Sequence, residues 1–160
     1  MNIFIVNTSP TQAARELCDK HVVKMPLETA QLLCTTAHTL KLSAPYRPTH
    51  VNHPCAVWVR SSKDAFVWLV EHGLALCHEY TRRYNKIHAS QKVIEDAKVL
   101  KYLLPHSPML SFVQCMPDQY RHEDPVIAYR AYYKTKASFT TWRAPSQTPV
   151  WFMESTSPTR

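Results

Sequence analysis

The chain has 160 residues, 45% of them hydrophobic, a length that supports a single domain (1–160) around one core of useful size. No apolar run approaches the ~20 residues needed to cross a bilayer. The apolar start, Met1 to Val6, is too short for a signal peptide and lacks a basic leader, so a cytoplasmic protein with no membrane partner is expected. Nineteen Lys and Arg against twelve Asp and Glu give a net charge of +7, which favours a polyanionic partner, nucleic acid before membrane.

A single glycine excludes Gly-rich phosphate loops and two-residue Gly hairpins, and twelve prolines punctuate the chain instead. Ser9-Pro10 with Gln12 predicts an N-cap, a proline in the first turn and a capping-box partner. The helix it opens is expected to run from Pro10 to about Met25, bend or restart at Pro26, and continue from Leu27 to about Lys41. Asn52 and His53 before Pro54 announce a second start, with Asn52 as the expected cap. Its helix is expected to run to about Tyr84 with a break near Ser61-Ser62, where Ser62 caps a new start. Phe66, Leu69, Val70, Leu74, Cys77 and Tyr80 recur at three- and four-residue intervals, the mark of one buried stripe. Arg82, Arg83 and Lys86 then fall where cations suit the helix dipole. Ser90 to Leu104 predicts a shorter helix stopped by Pro105, and Asp124-Pro125 opens another to about Ser138. The stretches 42–51, 105–123 and beyond Phe139 are expected as ordered loops. Without strand alternation or repeats, the expected fold is an all-α, compact helical bundle with long ordered loops. Five cysteines without paired spacing point to buried free thiols.

The most informative stretch is Cys18-Asp19-Lys20-His21-Val22-Val23-Lys24-Met25-Pro26-Leu27-Glu28. His21 and Glu28 lie seven residues apart and so project from nearly the same helix face. Buried ionisable groups are costly unless paired, so a helix carrying both on one side is expected to border a polar cleft. His50-Val51-Asn52-His53-Pro54-Cys55, with Cys18 and His21 completing four, has a permissible but undistinctive spacing for zinc, and neither a metal nor a cofactor is expected. Trp58, Trp142 and Trp151, and the tyrosines 129, 132 and 133 among Arg130 and Lys134, either fill core or stack on bases.

Leu17-x-Asp19-x-His21 followed by Glu28 resembles the first helix of pyrimidine-dimer DNA glycosylases of the phage endonuclease V type. Asn52-His53-Pro54 resembles a motif of bacterial relatives, and Met116-Pro117-Asp118-Gln119-Tyr120-Arg121 with Pro149-Val150-Trp151 resembles the family's carboxyl-terminal segment. The whole chain also resembles small phage proteins beginning Met-Asn-Ile-Phe, which places it in a host cytoplasm. The family resemblance implies a glycosylase, with or without AP-lyase activity, that attacks the sugar C1′ through an amino-terminal amine and forms a Schiff base. As a class α-amino groups titrate near ~8, so a useful fraction is nucleophilic at neutral pH. Initiator methionine is normally removed only before small side chains, so before Asn2 it is retained and Met1 becomes the candidate nucleophile. Members of the family commonly expose a processed Thr there, which is one departure.

Glu28 matches the family's catalytic carboxylate, which stabilises positive charge on the sugar and shuttles a proton. His21 either orients the sugar, contacts phosphate, or is held in the core by a backbone carbonyl. The family places arginines around the carboxylate, where this chain has Leu27 and Gln31. Phosphate contacts are therefore expected from Lys20, Lys24, Arg47, His50, His53 and Arg60, with Asn52 at the turn between them. Three functions follow: a DNA glycosylase acting on damaged or modified pyrimidines in duplex DNA; an enzyme acting on a free or modified nucleotide, which needs fewer phosphate contacts; and a non-catalytic nucleic-acid-binding module.

Overall fold

Helix starts in this chain are set by local chemistry, and most fall where the sequence places them. The computed structural model describes residues 1–154. It is all-α: seven helices and two short 3-10 segments, with no strand among the described residues. In α1 (Pro10–Glu16) the Ser9 hydroxyl accepts the Gln12 N–H at 3.3 Å. The reciprocal half of the box is absent: Gln12 reaches forward to Glu16, and Asn7 Oδ1 takes the Ser9 N–H instead. Ser62 separates α3 (Pro54–Ser61) from α4 (Lys63–Tyr84) and accepts the Ala65 N–H. Asp124 caps α6 (Pro125–Lys134) through the Val126 N–H. Each hydroxyl or carboxylate satisfies a donor that the first helical turn cannot.

The first two expected helices divide differently. The chain breaks at Leu17-Cys18, and α2 (Asp19–Thr39) runs unbroken through Pro26. The break is cheap because tertiary partners take the freed groups. Arg83 donates to the carbonyls of Arg15 and Leu17, and the Cys18 N–H goes to the Tyr133 hydroxyl. Pro26 is tolerated because His88 Nε2 lies 3.0 Å from the Val23 carbonyl, in the turn the proline disturbs. His53, not Asn52, caps α3: its Nδ1 accepts the Cys55 N–H at 3.1 Å.

The predicted Ser90–Leu104 helix is α only over Gln91–Ala97 (α5) and tightens to 3-10 over Lys98–Leu103. Pro105 ends it, and the Pro105 carbonyl accepts the Lys63 N–H at the start of α4. α6 stops at Lys134, short of Ser138, and turns over residues 135–139. Two short elements lie in stretches expected as loops: a 3-10 turn over Asp118–Tyr120 and α7 (Val150–Met153).

α4 is the central element, packed against α1, α2, α3 and α5. Its stripe is buried at Phe66, Leu69, Val70 and Cys77 and half-buried at Leu74 and Tyr80. Each fully buried large side chain here contributes about 1.5–3 kcal/mol. Trp58 and Trp151 are core residues, and Trp142 packs at the core's edge against Phe152, with its indole N–H on the Glu16 carbonyl. Four cysteines are buried and Cys115 is half-buried, and all five are free. The apolar start, Ile3 to Val6, threads into this core and turns at Phe4, where the Val6 N–H bonds the Phe4 carbonyl. Its depth fixes the position of residues 1 and 2.

Candidate active site at the head of the chain

On α2, His21, Lys24 and Glu28 follow at three- and four-residue spacings, so one face carries all three. That face borders a cleft of about 400 Å³ which Met1, Asn2 and Phe4 line from the other side. The Glu28 carboxylate accepts the Asn2 backbone N–H at 3.1 Å on Oε2 and lies 3.3 Å from Lys24 Nζ on Oε1. Its side chain is 12% exposed, whereas Lys24 is 68% exposed. The pair is therefore an acid held at the cleft floor by one backbone donor and one solvated ammonium.

Asn2 is clamped as firmly as any core residue. Its Nδ2 donates to the Cys115 carbonyl at 2.7 Å, and its Oδ1 accepts the Ile3 N–H at 2.8 Å. The Tyr129 hydroxyl lies 2.9 Å from Asn2 Oδ1 and 2.8 Å from the Val113 carbonyl, and accepts the Cys115 N–H. Burial pushes the Tyr129 pKa up, so this hydroxyl keeps its proton. Phe4 adopts a left-handed conformation (φ 60°), a strained state for a bulky residue that persists because its surroundings over-determine it. Its ring stacks on His21 at 4.5 Å and 19°.

His21 is buried, and Tyr133 fixes its tautomer. The Tyr133 hydroxyl accepts the Cys18 N–H, so its own proton is directed at His21 Nδ1, 2.6 Å away. Nε2 then carries the imidazole proton. Desolvation, with Lys136 and Lys24 nearby, lowers the His21 pKa to about 4, so the ring is a neutral donor at pH 7. The partner expected for a core histidine was a backbone carbonyl; a tyrosine hydroxyl fills that place.

The remaining cleft wall comes from residues that no local pattern marks. Tyr132, Lys136 and Phe139 line it, and the Lys136 ammonium sits over the Tyr132 ring at 4.3 Å. Lys20 stands over Phe139 at 4.9 Å, at the border of the cleft. The other cations named from the sequence lie elsewhere. Arg47 and Asn52 are exposed outside the lining, and Arg60 donates to the Val51 carbonyl, clasping the loop before α3. His50 is exposed and bonds Thr49. His53 sits closer, within electrostatic reach of both the amino terminus and Glu28, though burial is the main reason its pKa is lowered.

Tyr129 and Tyr133 are buried and act as scaffold, while Tyr132 faces the cleft. A larger concavity of about 620 Å³ is lined by Arg15, Glu71, His78, Glu79 and Arg82. Its strongest charges are spent on each other, Arg82 bonding Glu79 at 2.7 Å, so it offers less to a charged ligand. The zinc combination weighed in the sequence does not assemble as a set. Among the described residues, the cluster of potential metal ligands is His53 with Cys55 and Cys115. Cys55 hydrogen-bonds Cys115, which pushes the Cys55 thiol up and holds Cys115 down at about 7.

An acid thus faces the start of the chain across a basic, aromatic-walled cleft. The family model described as pyrimidine dimer DNA glycosylase matches residues 1–92. That is more than half of the chain, and the chain belongs to this family. No curated protein and no solved structure matches it. No helix among the described residues is long and apolar enough to cross a membrane.

Proposed function

We propose that the protein removes a damaged or modified pyrimidine from duplex DNA through an imine formed by its terminal α-amine. The observation that carries this reading is the 3.1 Å hydrogen bond from the Asn2 N–H to Glu28, which ties the first peptide to the acid inside the cleft. A cleft of about 400 Å³ suits one extruded nucleotide, with Phe4, Tyr132 and Phe139 as apolar walls.

The amine nitrogen donates its lone pair to C1′ as the glycosidic bond breaks, and the base leaves with the electron pair of that broken bond and takes a proton from solvent. The nitrogen then forms the C1′=N double bond as C1′–O4′ opens. Glu28 accepts the proton lost by the amine and returns it to O4′, while its charge stabilises the cationic sugar. Loss of a C2′ proton and departure of the 3′ phosphate constitute the lyase step, and water releases the enzyme. His21, as a neutral Nε2–H donor, orients the sugar. Lys24 and Lys136, with Lys20 at the border, meet the flanking phosphates.

With methionine retained, the amine is that of Met1. With methionine removed, it is that of Asn2, whose nitrogen already lies beside Glu28. Borohydride trapping on ultraviolet-damaged, abasic and modified-pyrimidine duplexes tests the mechanism. The expected product is one covalent adduct on the amino-terminal peptide, whose mass names the residue. Absence of an adduct on all three duplexes ends the imine reading.

One observation favours a second substrate, a free or modified nucleotide. Where the family has arginines, Leu27 stands exposed and Gln31 is neutral, so few cations serve a long backbone. Stabilisation in a thermal-shift assay by millimolar nucleotides and not by duplex DNA supports that alternative.

A further inference from the structure

Cys55 and Cys115 lie 60 positions apart in sequence, yet their sulfurs are 3.5 Å apart. That is far longer than the ~2.05 Å of a disulfide. It is close to the roughly 3.8 Å that two thiolates span on one tetrahedral zinc, given Zn–S bonds near 2.3 Å. His53 completes the group: one ligand atom from each of the three residues lies within 4.8 Å of the others.

Each ligand is also held in place before any ion arrives. His53 Nδ1 accepts the Cys55 N–H as the α3 cap, so the resting imidazole carries its proton on Nε2 and ligates there only once that proton moves to Nδ1 and the cap opens. Cys55 lies in the first turn of α3. Cys115 is pinned at both ends of its backbone, its N–H on the Tyr129 hydroxyl and its carbonyl on Asn2 Nδ2.

We propose that His53, Cys55 and Cys115 form a mononuclear site for a borderline-soft divalent cation, Zn²⁺ above all. Three protein ligands leave the fourth tetrahedral position to solvent, the pattern of an open rather than a purely structural site. Loading exchanges the thiol protons for the ion: both thiols release H⁺ to solvent, the His53 proton passes from Nε2 to Nδ1 as the Cys55 N–H is released, two thiolates and a neutral imidazole bind, and no electron moves. Oxygen-only cations such as Mg²⁺ are disfavoured by two sulfur ligands. Cys115 lines the same cleft as Met1 and Glu28, so the ion sits at its edge. The inference goes beyond the imine chemistry and stands without it.

The experiment is Co²⁺ titration of the full-length, reduced, chelator-stripped protein, read by absorbance. The expected result is one equivalent of Co²⁺ per chain with a thiolate-to-cobalt charge-transfer band, abolished when Zn²⁺ displaces the cobalt. Cys115→Ser is expected to weaken Co²⁺ binding by about tenfold or more, and His53→Asn, which keeps an acceptor for the helix cap, to do the same. Both positions are only half-buried, so these variants avoid the core burial of Cys55. A wild-type chain that shows no charge-transfer band overturns the proposal. So does a band that persists with unchanged affinity in both variants.

Discussion

Gly73 and Thr29 meet where α4 crosses α2, so closely that a methyl group on Gly73 would stand 2.5 Å from Thr29 Cγ2. This is the only glycine of the chain, and it serves helix contact rather than a turn. Gly73→Ala is expected to cost about 1–3 kcal/mol by overpacking, despite the better helix propensity of alanine. Thr29→Ser removes the offending methyl and should restore most of the loss. A double-mutant cycle by urea denaturation reads the coupling, and independent, additive effects would show that the crossing is not the constraint.

Tyr129→Phe tests the clamp on Asn2. The hydroxyl that contacts Asn2, Val113 and the Cys115 N–H disappears while the ring stays in the core. A loss of about 1–2 kcal/mol is expected, together with a drop in borohydride trapping larger than any change in DNA affinity. Equal losses in trapping and affinity would mean that the clamp does not position the amine.

Arg83 ties three segments together from a fully buried position. It bonds Asp19, Glu79 and the carbonyls of Arg15 and Leu17. Asp19 in turn accepts from the Arg143 N–H and the Thr141 hydroxyl. Arg83→Met removes the buried cation between two carboxylates, leaving Asp19 with neutral donors and Glu79 with half-exposed Arg82, and should destabilise the fold by about 3–5 kcal/mol. Arg83→Lys should rescue little, because an ammonium cannot reproduce the fork. Thermal melts compare the three proteins.

Acid should weaken the fold early. Desolvation, with Lys136 and Lys24 acting on His21, lowers the pKa values of His21 and His72 from 6.5 to about 4. The unfolded chain takes up protons below about pH 6.5 that the native chain refuses until about 4. Their contribution is therefore complete above 6.5 and is lost as pH falls through 4, by up to roughly 3 kcal/mol per histidine. His72 stacks on Trp68, so His72→Phe keeps the packing and should flatten the profile. Denaturation midpoints between pH 7.5 and 4 decide it; identical slopes in both proteins would refute the assignment.

Cleft cations should set the salt dependence of DNA binding. Lys20→Ala and Lys136→Ala should each weaken binding to any duplex and reduce the slope of log K against log salt by about 1. Arg60→Ala should leave the slope unchanged, since its guanidinium clasps the Val51 carbonyl. Fluorescence anisotropy across a salt series makes the comparison.

Legibility from sequence followed the range of the interaction. Ser9, Ser62 and Asp124 act on donors two or three residues away, so the starts they make are readable from a tetrapeptide. His21 and Glu28 share a face because of helix pitch alone. The break at Leu17-Cys18 was hidden because its partners are Arg83 and Tyr133, far along the chain. His53 was passed over as a cap in favour of Asn52, since imidazole is not a customary capping group. Lys136 and Phe139 carry no local mark of function; only tertiary packing delivers them to the cleft.

Asn2 is stitched to positions 115 and 129, well past the residues that the family model matches. A chain arrested on the ribosome before position 115 would own its acid yet lack the anchor that seats its leading end. The proposed chemistry is therefore expected only of a chain that has folded past that point.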